Sequence, residues 1–110
     1  MRPRRLPAEE ALATERLVEE AGQGPGRLLE YGSGGVHSVA FVLADWDVVI
    51  CDTEPGLHER ARARAPVSAE VVLADPDSLP FEDASFDVVV AADETPELLR
   101  VMRPAGRHIS

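Results

Sequence analysis

Apolar positions along the chain switch repeatedly between a helical and an extended spacing. Behind Pro7 and the acidic pair Glu9 and Glu10, the residues Ala13, Leu17 and Ala21 recur every four positions, which predicts a first helix ended by Gly22-Gln23-Gly24-Pro25-Gly26. Arg27 to Tyr31 is short and apolar enough for a strand, and Val36, Val39, Ala40 and Leu43 then fall at helical spacing behind Gly32-Ser33-Gly34-Gly35. Asp47 to Cys51 is a continuous β-branched run, the pattern of a strand buried on both faces. Pro55 follows and opens a helix carrying Leu57, Ala61 and Ala65.

The same unit then recurs. Glu70 to Ala74 predicts a third strand, Asp75 to Asp83 a loop, and Phe86 to Ala92 a fourth strand around Val88-Val89-Val90. Thr95-Pro96-Glu97 predicts a helix start, with Leu98, Leu99 and Met102 on its apolar face and Pro104 as its stop; Arg107 to Ser110 is left as a very short last strand. Strands alternating with helices imply parallel pairing through right-handed crossovers. The expected fold is therefore α/β, a doubly wound and mostly parallel Rossmann-like sheet, with its ligand crevice beyond the carboxyl ends of the strands.

With 110 residues there is room for one domain, residues 1–110, with a modest core. The net charge of -9 disfavours a nucleic-acid partner or an anionic membrane surface. Arg2, Arg4 and Arg5 precede the first acidic residue and read as a solvated tail; without an apolar run behind them they form neither a signal peptide nor a membrane segment, so a cytoplasmic location is expected. The single cysteine, Cys51, lies inside an apolar strand and reads as a small core residue. His37, His58 and His108 lack metal-ligand spacing and read as surface or helix-face residues, so no metal site is expected.

Chemistry concentrates at the strand ends. Gly32-Ser33-Gly34 leaves a strand and enters a helix, where missing side chains permit a tight turn and close approach of a ligand. Asp52 stands 20 residues after Gly32 at the end of the next strand, the spacing of a carboxylate that accepts ribose hydroxyls. A dinucleotide fingerprint needs a third glycine three positions after Gly34, and His37 stands there, which disfavours a nicotinamide oxidoreductase.

These stretches resemble the class I S-adenosylmethionine-dependent methyltransferases, in particular the broad type 11 group acting on small molecules and natural products. Leu28-Leu29-Glu30-Tyr31-Gly32-Ser33-Gly34 is similar to the family's first motif and Val49-Ile50-Cys51-Asp52-Thr53-Glu54-Pro55 to its second. The run from Ala74-Asp75-Pro76 through Leu79-Pro80-Phe81 to Ser85-Phe86-Asp87-Val88-Val89-Val90 is similar to the third and fourth, and Glu97 to Arg107 to the helix and turn before the fifth strand. The resemblance implies sheet order 3-2-1-4-5 and S-adenosylmethionine as cofactor. It implies that Glu30 holds the methionine amino group through water or backbone, that Gly32 and Gly34 make room for the methionine part, that Asp52 takes the ribose hydroxyls and that Asp75 with Pro76 faces the adenine. Tyr31 and Thr53 adjoin these positions and complete the expected cofactor set.

Three departures from the family pattern carry expectations of their own. Val36 stands where the family keeps a glycine, so its side chain is expected to narrow the cofactor pocket. The connection from the fourth strand to the Arg100-Val101-Met102 helix is short, and the chain stops at Ser110, so it reads as a methyltransferase core truncated in the acceptor region and at the C-terminus. Methyl transfer to a small-molecule acceptor is the first function this implies. A cofactor-binding pseudo-enzyme acting through self-association or a partner is the alternative. An open last strand and the modest core predict a homo-oligomer, most simply a dimer.

Overall fold

The structure is a computed structural model that describes residues 7–110; the arginine-bearing tail lies outside the described residues. Four helices and five strands follow in the order α1 (Pro7–Ala21), β1 (Arg27–Tyr31), α2 (Ser38–Leu43), β2 (Asp47–Asp52), α3 (Pro55–Arg64), β3 (Glu70–Leu73), β4 (Phe86–Val90), α4 (Pro96–Val101) and β5 (Met102–Ile109). All strand pairs are parallel and the sheet order is β3-β2-β1-β4-β5, as the doubly wound reading requires.

The central strands are buried on both faces, which is why they read as unbroken apolar runs. Alternation along each strand divides the core in two. Leu28, Val48, Ile50 and Val88 face α1, α2 and α3, together with Phe41 and Ala61, whereas Leu29, Val49, Cys51 and Val89 face the opposite side with Leu79, Phe86, Leu98 and Val101. Leu28, Leu29, Ile50 and Phe41 are fully buried, each stabilising the fold by roughly 1.5–3 kcal/mol through removal of apolar area from water. The same alternation decides the site: Glu30 shares the face of Leu28, and Asp52 that of Val48 and Ile50, so two carboxylates enter one side of the sheet at the carboxyl ends of adjacent strands.

The C-terminal elements differ from their sequence pattern. The helix expected to include Met102 ends at Val101, and Met102 already has extended backbone, φ -86 and ψ 137. β5 runs from Met102 to Ile109, well before Arg107, and carries Pro104 inside it. Pairing passes from Phe86 with Met102 directly to Val88 with Arg107, so residues 103–106 bulge out of the ladder. Pro104, which has no N–H to give, occupies the break, and a Cβ on Gly106 would stand 2.7 Å from Met102 Cγ and 2.9 Å from the Arg103 carbonyl oxygen. β3 and β4 stop at Leu73 and Val90, short of the expected Ala74 and Ala92, while β2 extends one residue further to Asp52.

Candidate functional site

The strand order reverses between β1 and β4, and a cleft of about 320 Å³ opens at their carboxyl ends. Its walls are Tyr31, Gly32 and Ser33 after β1, Val90, Ala91 and Ala92 at the end of β4, His37 before α2, and Ala13, Arg16 and Leu17 from α1. A crevice at the switch point of a parallel sheet is where ligands of such folds bind.

Glycine shapes the turn beside it. Gly32, Gly34 and Gly35 have φ of +77, +65 and +71, a region that side chains disfavour. An ideal Cβ on Gly32 meets nothing within 4 Å, so this backbone is open to a ligand. Gly35 packs closely instead: a Cβ there would lie 3.2 Å from Ile50 Cδ1 and 3.4 Å from Ala61 Cα. Val36 lines a groove between α1 and α2 with Val18 and Ala40. Val36 thus borders the α1–α2 groove and is not among the residues that wall the β1–β4 cleft.

Both carboxylates lie beneath this turn and are fully buried. Glu30 Oε2 accepts the Ser33 hydroxyl at 2.5 Å and the His37 backbone N–H at 3.0 Å. Asp52 Oδ1 accepts the Gly34 N–H at 3.2 Å. The remaining oxygens, Glu30 Oε1 and Asp52 Oδ2, have no donor. Burial pushes the Glu30 carboxyl above its ordinary range, against the Ser33 and His37 hydrogen bonds, and the neighbouring Asp52 charge adds to the rise. Asp52 is raised by burial too, against the Gly34 N–H. A buried carboxylate oxygen without a donor is costly, and a cation or hydroxyl donor from a ligand relieves that cost.

Of the other expected residues, Tyr31 walls the cleft, and its phenol is pushed up by burial while the Thr53 hydroxyl draws it back. Asp75 and Pro76 are exposed in the turn after β3, where Asp75 Oδ1 accepts the Asp77 N–H at 2.9 Å and its carbonyl accepts that of Ser78 at 3.0 Å. This turn is tied to β2 through the Ala74 N–H on the Asp52 carbonyl, 3.0 Å. Arg100 moors the segment beyond, donating to the Leu79 and Phe81 carbonyls and to Asp83 and Glu97. The expected residues therefore follow the ends of β1, β2 and β3, with Tyr31 and Gly32 in the cleft wall. Cys51 is buried with its thiol pushed up to about 12 by desolvation, so it stays protonated and chemically quiet.

His37 was legible only as a surface or helix-face residue. It is buried, in the cleft wall, with its ring nitrogen Nδ1 2.6 Å from Thr14 Oγ1 of α1. The pattern Glu30-x-x-Ser33-x-x-x-His37 is the local signal for this network, and Thr14 has none because it arrives from 23 residues away.

Residues 18–109 match the family described as a methyltransferase domain, and the chain belongs to that family, the class I S-adenosylmethionine-dependent methyltransferases. It is 36% identical over 112 residues to a demethylmenaquinone methyltransferase of Clavibacter sepedonicus, covering 89% of this chain and 44% of that protein. The fold is similar to a structure described as a putative S-adenosylmethionine-dependent methyltransferase from Methanococcus maripaludis, with TM-score 0.71, 21% identity, and coverage of 88% of this chain and 52% of that one. It is similar also to the glycopeptide N-methyltransferase MtfA complexed with sinefungin, with TM-score 0.68, 19% identity, and coverage of 97% and 58%. The chain spans under half the length of the curated relative and little more than half of these structures. The family's cofactor, S-adenosylmethionine, fits the residues present: two buried carboxylate oxygens without donors adjoin a glycine turn open at Gly32.

Proposed function

We propose that this chain binds S-adenosylmethionine at the ends of β1, β2 and β3 and supports methyl transfer to a small-molecule acceptor entering the β1–β4 cleft. The observation that carries the reading is the pair of buried oxygens, Glu30 Oε1 and Asp52 Oδ2, left without donors on one face of the sheet. Glu30 holds the methionine ammonium through water or backbone, and Asp52 takes a ribose hydroxyl. Gly32 and Gly34 give the backbone approach, Tyr31 and Thr53 border the ribose, and Asp75 with Pro76 meets the adenine side. When bound, the cofactor supplies a methyl group already activated on a sulfonium. The chain's own task is to align donor and acceptor and exclude water, which needs no obligatory base. The working form in this reading is a cytoplasmic homo-oligomer, supported by Leu73, 46% exposed on the edge strand β3, and it takes no nucleic-acid partner, supported by the net charge of -9. Among the described residues no helix is long and apolar enough to cross a membrane.

One feature favours the alternative of cofactor binding without transfer. The β4–α4 connection is only residues 91–95, closed by His108 on the Ala91 carbonyl at 2.8 Å, and it offers little wall for an acceptor. Calorimetric titration with S-adenosylmethionine, its demethylated product and NAD separates the readings. Binding of the first two supports the cofactor site, whereas binding of NAD alone removes it. Methyl release to a panel of small nucleophiles then distinguishes enzyme from pseudo-enzyme, and light scattering of mass near 11.9 kDa would remove the oligomer.

A further inference from the structure

The two halves of α1 are held by different means. Its C-terminal end is fixed: Arg107 donates to the carbonyls of Glu20 at 2.6 Å and Ala21 at 2.5 Å, Trp46 Nε1–H donates to the Gly22 carbonyl at 3.0 Å, and Leu17 and Ala21 are buried. Toward the N-terminus Leu12 is 65% exposed, Thr14 Oγ1 lies 2.6 Å from His37 Nδ1, and two residues further on Arg16 donates to the Ser110 carbonyl at 2.9 Å. A helix end with few buried apolar contacts opens at low cost, so a single well-formed hydrogen bond weighs heavily on where it sits.

His37 also reaches the cofactor site by a second route. Its backbone N–H donates to Glu30 Oε2, the carboxylate whose other oxygen lacks a donor, while its ring, edge-on to Phe41 with centroids 6.4 Å apart, reaches α1. α1 in turn supplies Ala13, the neighbour of Thr14, to the cleft wall, next to Arg16 and Leu17 of its fixed half. We infer that His37 is a positioning residue that couples occupancy of Glu30 to the seating of the N-terminal half of α1 against the cleft. The inference rests on the assignment of Glu30 proposed above. A ligand that fixes the Glu30 carboxylate fixes the backbone of the turn that carries His37, and with it the acceptor or donor offered to Thr14. By linkage, loosening the Thr14 contact weakens the ligand by the same factor that the ligand strengthens the contact.

Thr14→Val keeps the shape of the side chain and removes its hydrogen bond, and Thr14→Ser restores it. Hydrogen exchange is followed on the whole chain, with and without saturating S-adenosylmethionine, together with calorimetric affinity. The amides of residues 11–16 are expected to slow when the cofactor binds the native protein and Thr14→Ser. In Thr14→Val that slowing and the affinity should both fall about three- to ten-fold, the equivalent of one lost hydrogen bond, with exchange in α4 and β5 unchanged. Native binding with equal slowing and affinity in Thr14→Val overturns the coupling and leaves the cofactor site standing. Failure of the native protein to bind S-adenosylmethionine overturns the Glu30 assignment and the coupling with it. Loss of protection throughout Thr14→Val, α4 and β5 included, would make Thr14 a general stability contact and also overturns the coupling.

Discussion

The Gly34 N–H donates to Asp52 Oδ1 at 3.2 Å, tying the turn after β1 to the end of β2 across 18 residues of sequence. One carboxylate thereby holds the glycine turn in shape with one oxygen and presents the other, Oδ2, without a donor. The geometry explains why an aspartate, rather than any polar residue, suits the end of β2.

Asp52→Asn retains an oxygen for Gly34 and loses the charge, and Asp52→Ala loses both. Cofactor affinity is expected to fall in each, by roughly 1–3 kcal/mol for the alanine variant, the usual range for hydrogen bonds to a charged group. Thermal melts without cofactor should show the alanine variant less stable than the asparagine one. Native affinity in a folded Asp52→Ala protein, measured by calorimetry, would remove Asp52 from the site.

Glu30 makes stability depend on pH in a definite direction. Its carboxyl titrates above its ordinary value, chiefly because it is buried, so the folded protein holds that proton more tightly than the unfolded chain. The favourable contribution is complete below the ordinary carboxylate range and is lost as pH rises through the raised folded value. Glu30→Gln does not titrate there. Plotting the difference in melting temperature between the native protein and Glu30→Gln against pH should show the native protein gaining on the variant as pH falls toward the ordinary carboxylate range. A cationic ligand needs the ionised form, so affinity for S-adenosylmethionine should weaken over that same acid range in the native protein. A flat difference curve would show that Glu30 is not raised.

What was legible in the sequence follows from what is local. Runs such as Asp47 to Cys51 announced central strands because burial on both faces removes polar residues altogether. The glycine turn and the place of Asp52 at the end of β2 were legible because a left-handed turn and a strand end select residue type locally. The C-terminal boundary was not: Leu98, Leu99 and Met102 fit a helical face, but pairing of Met102 with Phe86 draws that residue into β5. Pro104 read as a terminator because a bulge that tolerates a missing N–H leaves no periodic trace. His37 was misplaced for a similar reason, since Thr14, whose hydroxyl meets its ring, comes from a different element.

Val36 separates sequence analogy from geometry. Its side chain stands in the α1–α2 groove, with Val18 and Ala40 among the neighbouring groove residues. Val36→Gly is therefore expected to leave S-adenosylmethionine affinity unchanged in calorimetry. Loss of apolar contact and the added freedom of the unfolded chain should lower stability by about 1 kcal/mol or somewhat more. Tighter binding in the glycine variant would place the side chain back over the cofactor.

One substitution at two glycines tests the packing of the turn. Gly35 has φ +71, and a Cβ there would lie 3.2 Å from Ile50 Cδ1 and 3.4 Å from Ala61 Cα, atoms of the buried core. Gly56 lies in α3, is exposed, and has nothing within 4 Å of an added Cβ. Gly35→Ala must hold a side chain in the left-handed region and also displace its neighbours, at an expected cost of about 1–3 kcal/mol. Gly56→Ala should stabilise by up to about 1 kcal/mol, since alanine replaces glycine in a helix without a clash. Urea unfolding reads both as shifts of the midpoint in opposite directions at constant slope. Because Gly35 packs between β2 and α3 beside the turn that holds Glu30 and Asp52, Gly35→Ala should also weaken the cofactor, whereas Gly56→Ala should not. Equal and neutral midpoints would show that the turn has room to spare, and that close packing at Gly35 does not set its shape.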